Sequence, residues 1–165
     1  MAENWQNWLP EDVKRAHEAI TLTDWSGKIQ WVNQGFVQLT GYTIEEALGQ
    51  KPGTLLQGEQ TDQRVIESMH RAIALGHGVS ITVRNYTKGG SAYDAALGIS
   101  PLMDQNGVLE HFISVGREVT GADALSTQAA TAWVLSRLAD LMLIYQAAIQ
   151  QQSNPRGSGR APISR

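Results

Sequence analysis

An α+β domain, built on a five-stranded antiparallel sheet with short helices on one face, is the fold class this sequence predicts. Three observations carry it. Two short strand-like runs near the N-terminus flank a tight turn; three longer alternating runs follow residue 78; and helical periodicity is confined to the stretches between and after them. Strands segregated from helices in this way, and joined by hairpin turns, imply an antiparallel sheet.

The first segment, 10–20, opens with Pro10, carries Glu11 and Asp12 in its first turn, and spaces Val13, Ala16 and Ile20 as a helix would. Proline at the first helical position and acids near the positive end of the dipole favour a short amphipathic helix there. Trp5, Trp8 and Leu9 lie just ahead of it. Tryptophans are costly to leave wet, so these are expected to cap the open end of the core or to join a dimer contact. Strands are predicted over 20–23 and 28–32, with Asp24, Trp25, Ser26 and Gly27 making the hairpin turn.

Two short helices are predicted over 33–39 and 43–48, broken at Gly41. Thr43 and Glu46 have the spacing of a capping box, in which the hydroxyl and the carboxylate each satisfy a free backbone N–H. The stretch 49–60 is rich in glycine, proline and glutamine and is expected to be irregular. Asp62 then starts a helix through Val65, Ile66, Met69, Ala72 and Ile73 that stops at Gly76. The remaining strands are read over 79–86, 91–102 and 109–119, with turns at 87–90 and around the Asn106-Gly107 pair. Small residues on these strands, Ala95, Ala96, Gly98 and Gly116, point either to free space over the sheet or to a gap filled by Trp31 or Phe112.

After Gly121 the composition shifts. Leu135, Leu138, Met142, Tyr145 and Ile149 follow 3, 4, 3, 4 spacing, Trp133, Leu141 and Ile144 widen the apolar face, and the only charges between 124 and 152 are Arg137 and Asp140. Such a face must pack on the sheet, on a second copy of the chain, or on both. A membrane span is disfavoured, because those two charges would sit mid-segment at about 2.5 to 3.5 kcal/mol each. The tail from Ser153 onward is dominated by Gly, Ser, Pro and Arg and is expected to be disordered. The domain plan is therefore a cap helix over 1–19, the α+β domain over 20–120, an amphipathic helix over 121–152 and a tail over 153–165.

The chain has 165 residues, a formal net charge of -3 and no cysteine. It is long enough to bury a core without disulfides. Absence of cysteine removes thiolate metal sites and suits a reducing compartment. Mixed charges give no nucleic-acid surface, and the N-terminus has neither the basic start nor the apolar run of a secretory signal. A cytoplasmic location is expected.

Three quoted stretches, TDWSGKIQWVNQGFVQLTGY (23–42), GYTIEEALGQKPGTLLQGEQTD (41–62) and NYTKGGSAYDAALGISPLMDQNGVLEHFISVGREVT (85–120), together resemble a PAS domain, in the branch that includes the LOV photosensors. The resemblance spans about 19–120 and implies the PAS fold. In LOV-like domains it also implies a flavin site. Asn85 matches an asparagine held against the flavin ring, where an amide offers both a hydrogen and a lone pair. Other positions depart from the pattern. The second ring-binding asparagine is matched to Asp94, which only accepts hydrogen bonds. The switching glutamine of the last strand is matched to Gly116, and the photoactive cysteine to Pro52 or Gly53. The phosphate-binding arginines are matched to Thr54 and Glu67, the latter of the wrong sign; Arg64 and Arg71 on the same helix are conceivable substitutes. Pocket residues are thus expected among Asn85, Asp94, Gly116 and Gln57. Cysteine-adduct photochemistry has no cysteine in this sequence to use.

The sequence leaves the cofactor open: flavin, haem, another small organic ligand, or none. His70, His77 and His111 are the histidines a haem would call on, since neutral imidazole is a good iron ligand. There is no phosphate loop, metal-spaced histidine pair or nucleophile elbow, so catalysis by this chain alone is not expected. Glu45 and Glu46 fit a helix start better than acid–base chemistry. The reading is a sensory or interaction module whose last helix, through Leu135, Leu138, Met142, Tyr145 and Ile149, joins two copies and relays a pocket change to a downstream signalling protein. The alternatives are a flavin- or haem-bearing redox, light or gas sensor without an adduct, and a ligand-independent dimerisation module.

Overall fold

The structure, a computed structural model, describes residues 9–121 and 127–153. Five strands, β1 (Ala19–Asp24), β2 (Ile29–Val32), β3 (Val79–Tyr86), β4 (Ala92–Met103) and β5 (Leu109–Glu118), form one antiparallel sheet in the order β2-β1-β5-β4-β3. Between β2 and β3 run α2 (Gln34–Thr40), α3 (Ile44–Ala47), α4 (Pro52–Leu56) and α5 (Gln63–Ala74); α1 (Glu11–Lys14) precedes the sheet and α6 (Thr127–Ser153) follows it. The predicted capping box is present: Thr43 Oγ1 accepts from Glu46 N and Glu46 Oε2 accepts from Thr43 N. Asp62 caps α5 by accepting from Arg64 N.

The opening helix is much shorter than the periodicity predicts, four residues instead of 10–20. A buried asparagine explains the stop. Asn33 Nδ2 donates to the carbonyls of Val13, Ala16 and Glu18, at 3.1, 3.3 and 2.9 Å, while its Oδ1 accepts from the backbone N–H of Ile20 and Phe36. These side-chain bonds offer the carbonyls a non-helical alternative, and Ala19 and Ile20 enter β1 instead. The chain passes so close to α2 that a Cβ on Gly35 would lie 2.2 Å from Glu18 O, so only glycine fits there. The stretch expected to be irregular contains α4, which starts at Pro52; proline is pre-set for a first helical position. Trp5, Trp8 and the tail beyond Ser153 lie outside the described residues.

Helices occupy both faces of the sheet. One face carries α2 to α5, over cores formed by Phe36, Leu56 and Ala47 with β1–β2 residues, and by Ile66 with Val83, Tyr93 and Ala95. The other face carries α6, whose Ala130, Val134, Leu138 and Leu141 are buried on Ile20, Leu22, Ala96, Leu102, Ile113 and Val115. Burial of each of the larger side chains is worth about 1.5–3 kcal/mol. Gly98 is the notch that admits the helix: a Cβ there would lie 2.2 Å from Val134 Cγ1 and 2.7 Å from Leu138 Cδ1. Polar ties border the contact. Arg137 pairs with Glu18, the Arg117 guanidinium lies 4.4 Å over the Trp133 ring, Tyr145 donates to Glu110 at 3.1 Å, and Ser100 Oγ donates to Met142 Sδ at 3.2 Å.

The predicted interface stripe turns largely toward the sheet of its own chain. Leu138 is buried against the sheet, and Met142 and Tyr145 pack beside it, so they are inward contacts of the same chain. Ile149 is half-buried, and Leu135 alone of the five is widely exposed, at 54%. A seven-residue seam presumes a helical partner; here the partner is a sheet, which takes the wider face centred on Val134, Leu138 and Leu141.

Candidate functional site

Between α2, α4, α5 and the sheet lies a cavity of about 740 Å³. Strand alternation decides which residues line it. From β4 the side chains of Tyr93, Ala95, Leu97 and Ile99 face the cavity; from β3, Ile81, Val83 and Asn85; from β1 and β5, Ala19, Thr21, Phe112, Ser114 and Gly116. Helices contribute Phe36, Leu39 and Thr40 from α2, Leu56 from α4 and Ile66, Met69 and Ile73 from α5. The volume falls within the roughly 300–1,000 Å³ of small-molecule sites.

Asn85, Gly116 and Gln57 are thus brought together on one cavity. Asp94 is not. It pairs across the strands with Arg84, Nε to Oδ1 and Nη2 to Oδ2 both at 2.9 Å, on the opposite face of the sheet. That guanidinium holds the Asp94 carboxyl below its usual range. The register makes Asn85 the partner of Tyr93, so Asp94 cannot share its face, and Ala95 is the next cavity residue along β4. Counting pairs back from the turn at 87–90 is the signal in the sequence that separates Asp94 from Asn85.

Burial pushes the Tyr93 hydroxyl from its ordinary 10.0 up to about 12, the neighbouring Asn85 amide acting in the other direction. Gln57 occupies a telling place: a Cβ on Gly53 would come within 2.8 Å of its Nε2. An amide therefore fills the space beside the position matched to the photoactive cysteine. Gly116 has room for a side chain, since a Cβ would meet Leu97 and Ala96 only at 3.4 and 3.5 Å, but supplies none. Phe112 lines the cavity without closing it, and Trp31 packs on the α6 face.

Thr21 and Ser114 were not singled out by the sequence. They are direct cross-strand partners on the cavity floor, flanked by Ala19 and Gly116, which leave space above them. Neither hydroxyl makes a side-chain hydrogen bond among the described residues, although Thr21 is buried. Of the histidines, His70 borders the cavity from an exposed position, and His111 lies edge-on to Tyr145 of α6 with Nδ1 3.1 Å from Thr23 O. Among the described residues no group of three or more His, Cys, Asp or Glu could hold a metal ion.

A sheet whose one face is roofed by short helices over a cavity, with a long helix on the other, defines a ligand-cavity domain with a helical attachment. Residues 17–121 match the PAS domain family, and the chain belongs to it. It is 39% identical over 92 residues to a blue-light-activated histidine kinase of Brucella anthropi, a match covering 56% of this chain and 18% of that protein. The chain therefore spans about a fifth of the length of the curated relatives it matches. Its fold is similar to the LOV domain of the blue-light-activated histidine kinase of Erythrobacter litoralis, with a TM-score of 0.60, 30% identity, and 64% of this chain and 98% of that one covered. It is also similar to the dark structure of the blue-light photoreceptor Aureochrome1 LOV, with a TM-score of 0.61, 25% identity, and 74% and 86% covered.

The residues present fit part of a flavin mononucleotide. Space for a flat ring and the Asn85 amide are there. No arginine lines the cavity among the described residues, and Arg64 is held by Asp62 at 3.1 Å. The groups that would hold the phosphate do not fit.

Proposed function

We propose that this chain is a sensory module: occupancy or chemical change in the cavity alters the packing of α6 on the far face of the sheet, and α6 carries that change to a signalling partner such as a histidine kinase. One observation carries the reading. Along β4 consecutive residues address the two compartments in turn, Leu97 facing the cavity and Gly98 seating Val134 and Leu138 of α6. A shift of the strand by either occupant is felt by the other. A ligand biases this equilibrium only by its differential affinity for the two packings. Similarity to sensor portions of blue-light-activated histidine kinases supports the choice of partner class.

The test is a chimera in which residues 9–153 replace the sensor portion of such a kinase. Gly98→Val, which pushes α6 off the sheet, is expected to change autophosphorylation and to raise hydrogen exchange over 130–145. Faster exchange with unaltered kinase activity would remove α6 as the output.

A second reading concerns the outer face of α6. Leu135 and Leu143 are 54% and 65% exposed, with exposed Ala139 between them, at i, i+4 and i+8. This stripe supports a helix-to-helix contact between two copies. The segment Ala129–Gln151 is long and apolar enough to cross a membrane, but the seating of Ala130, Val134, Leu138 and Leu141 on the sheet and the Arg137–Glu18 pair favour a protein-facing role. Leu135→Glu with Leu143→Glu is expected to convert a dimer to a monomer in sedimentation; a mass independent of concentration and of these changes would dismiss the contact.

A further inference from the structure

We infer that the cavity takes an uncharged, flat, largely apolar molecule whose hydrogen-bonding edge lies over Thr21 and Ser114, in preference to any phosphate-bearing nucleotide. The inference deepens the sensory reading above and rests on it for its biological meaning.

No aspartate, glutamate or arginine borders the cavity among the described residues. Lys51 and His70, which border it, are exposed. A cationic ligand would have no counter-charge inside, and an anionic one would have none deeper than that exposed edge. Burying an unpaired charge is far more costly than burying a neutral polar group that finds a hydrogen bond.

Polar atoms are unevenly distributed over the cavity floor. The β3–β4 half of the floor is apolar along Ile81, Val83, Ala95, Leu97 and Ile99, with the Asn85–Tyr93 pair as its polar end, and offers a flat surface for a ring. The β1–β5 half is different. There Thr21 and Ser114 stand side by side, and the small residues Ala19 and Gly116 next to them keep the space above open. Both side chains line the cavity, Thr21 buried and Ser114 half-buried, and neither hydroxyl is spent on a side-chain hydrogen bond among the described residues, so each is available to an occupant. Each hydroxyl both donates and accepts, so the pair suits a carbonyl next to an N–H on one edge of a heterocycle. The amides of Asn85 and Gln57 offer the same dual capacity elsewhere on the wall. A neutral ring system with imide- or lactam-like edges satisfies this set without any ionic contact.

The experiment uses the full chain. Protein is purified, denatured, and the released small molecules are identified by mass spectrometry. The refolded chain is then titrated with lumichrome, riboflavin and flavin mononucleotide, following ligand fluorescence at low and high salt. The expected result is release of a compound neutral at pH 7, or binding of lumichrome or riboflavin at least about tenfold tighter than flavin mononucleotide and insensitive to salt. Thr21→Val with Ser114→Ala keeps shape close to native and is expected to weaken the neutral probe by about tenfold while the fold, followed by circular dichroism, is kept. Release of a phosphate-bearing compound, equal or tighter binding of flavin mononucleotide, no change in the double variant, or no binding of any probe with nothing released would each overturn the inference. The kinase chimera with Gly98→Val reads the opposite face of the sheet, so failure here and failure of the sensory reading are told apart.

Discussion

The two faces of the sheet are built from the same strands by opposite rules. On the cavity face, small residues such as Ala95 and Gly116 leave volume open. On the other face a small residue, Gly98, is there because the space is already taken, by Val134 and Leu138. Identical side-chain size thus reports emptiness on one side and close packing on the other. The lesson is that glycine and alanine in a strand say that something approaches the backbone or that nothing does, and only the partner element decides which.

Adding atoms on the two faces should therefore have opposite signs. Gly98→Val is expected to destabilise by about 3 kcal/mol, read as a lower urea midpoint, because the added carbons overlap α6 in a packed contact. Little change would mean α6 is not seated as described. Ala95→Val, three residues earlier and facing the cavity, is expected to stabilise by about 1 kcal/mol by filling space, and to weaken binding of any cavity ligand. A destabilisation there as large as at Gly98 would show that the cavity face is as full as the α6 face.

Two pH experiments sharpen the same contrast. Tyr93 faces the cavity side, and burial raises its hydroxyl from 10.0 to about 12. A group whose folded pKa is raised contributes stability below its unfolded value and loses it as pH rises through the folded one. Stability should decline between about pH 10 and 12 in the native chain and less steeply in Tyr93→Phe, measured by thermal melts across that range. Matching slopes would place the Tyr93 hydroxyl in solvent. The smallest effect is expected at Asp94, on the other face. Arg84 lowers its pKa, so its contribution is present above the ordinary carboxylate range and is lost as pH falls through the lowered value. Because that pair is solvent-exposed, Asp94→Asn should cost little, and less still in high salt. A large loss, or one that also alters ligand binding, would return Asp94 to the cavity.

Much of this was legible from residue order. The hairpin at Asp24 to Gly27, the Thr43–Glu46 box, the Asp62 cap and the β3 limits follow from turn chemistry, capping and period-two alternation, all local. Asn85 came through resemblance as a candidate pocket residue, and the structure places it on the cavity wall. What failed was non-local. Asn33, which the sequence places at the start of a short helix, is its N-cap and also bonds the carbonyls of Val13, Ala16 and Glu18, tying down the segment that leaves α1. Asp94 was placed with Asn85 because a motif match ignores the pleat. Thr21 and Ser114 lie 93 positions apart in sequence and meet only through the β1–β5 register.

The sequence by itself therefore determined the five strands, α2, α3, α5 and α6, their order and the alternation within each strand, because those depend on residues a few positions apart; α4 and the length of α1 were not among them. Tertiary structure alone decided which side of α6 turns inward and which face of β4 keeps a cavity. An apolar helix has several faces fit for burial, and a run of small residues is compatible with either void or contact. The choice is made when the sheet and the helices compete for the same surface, and Gly98 marks where α6 prevailed.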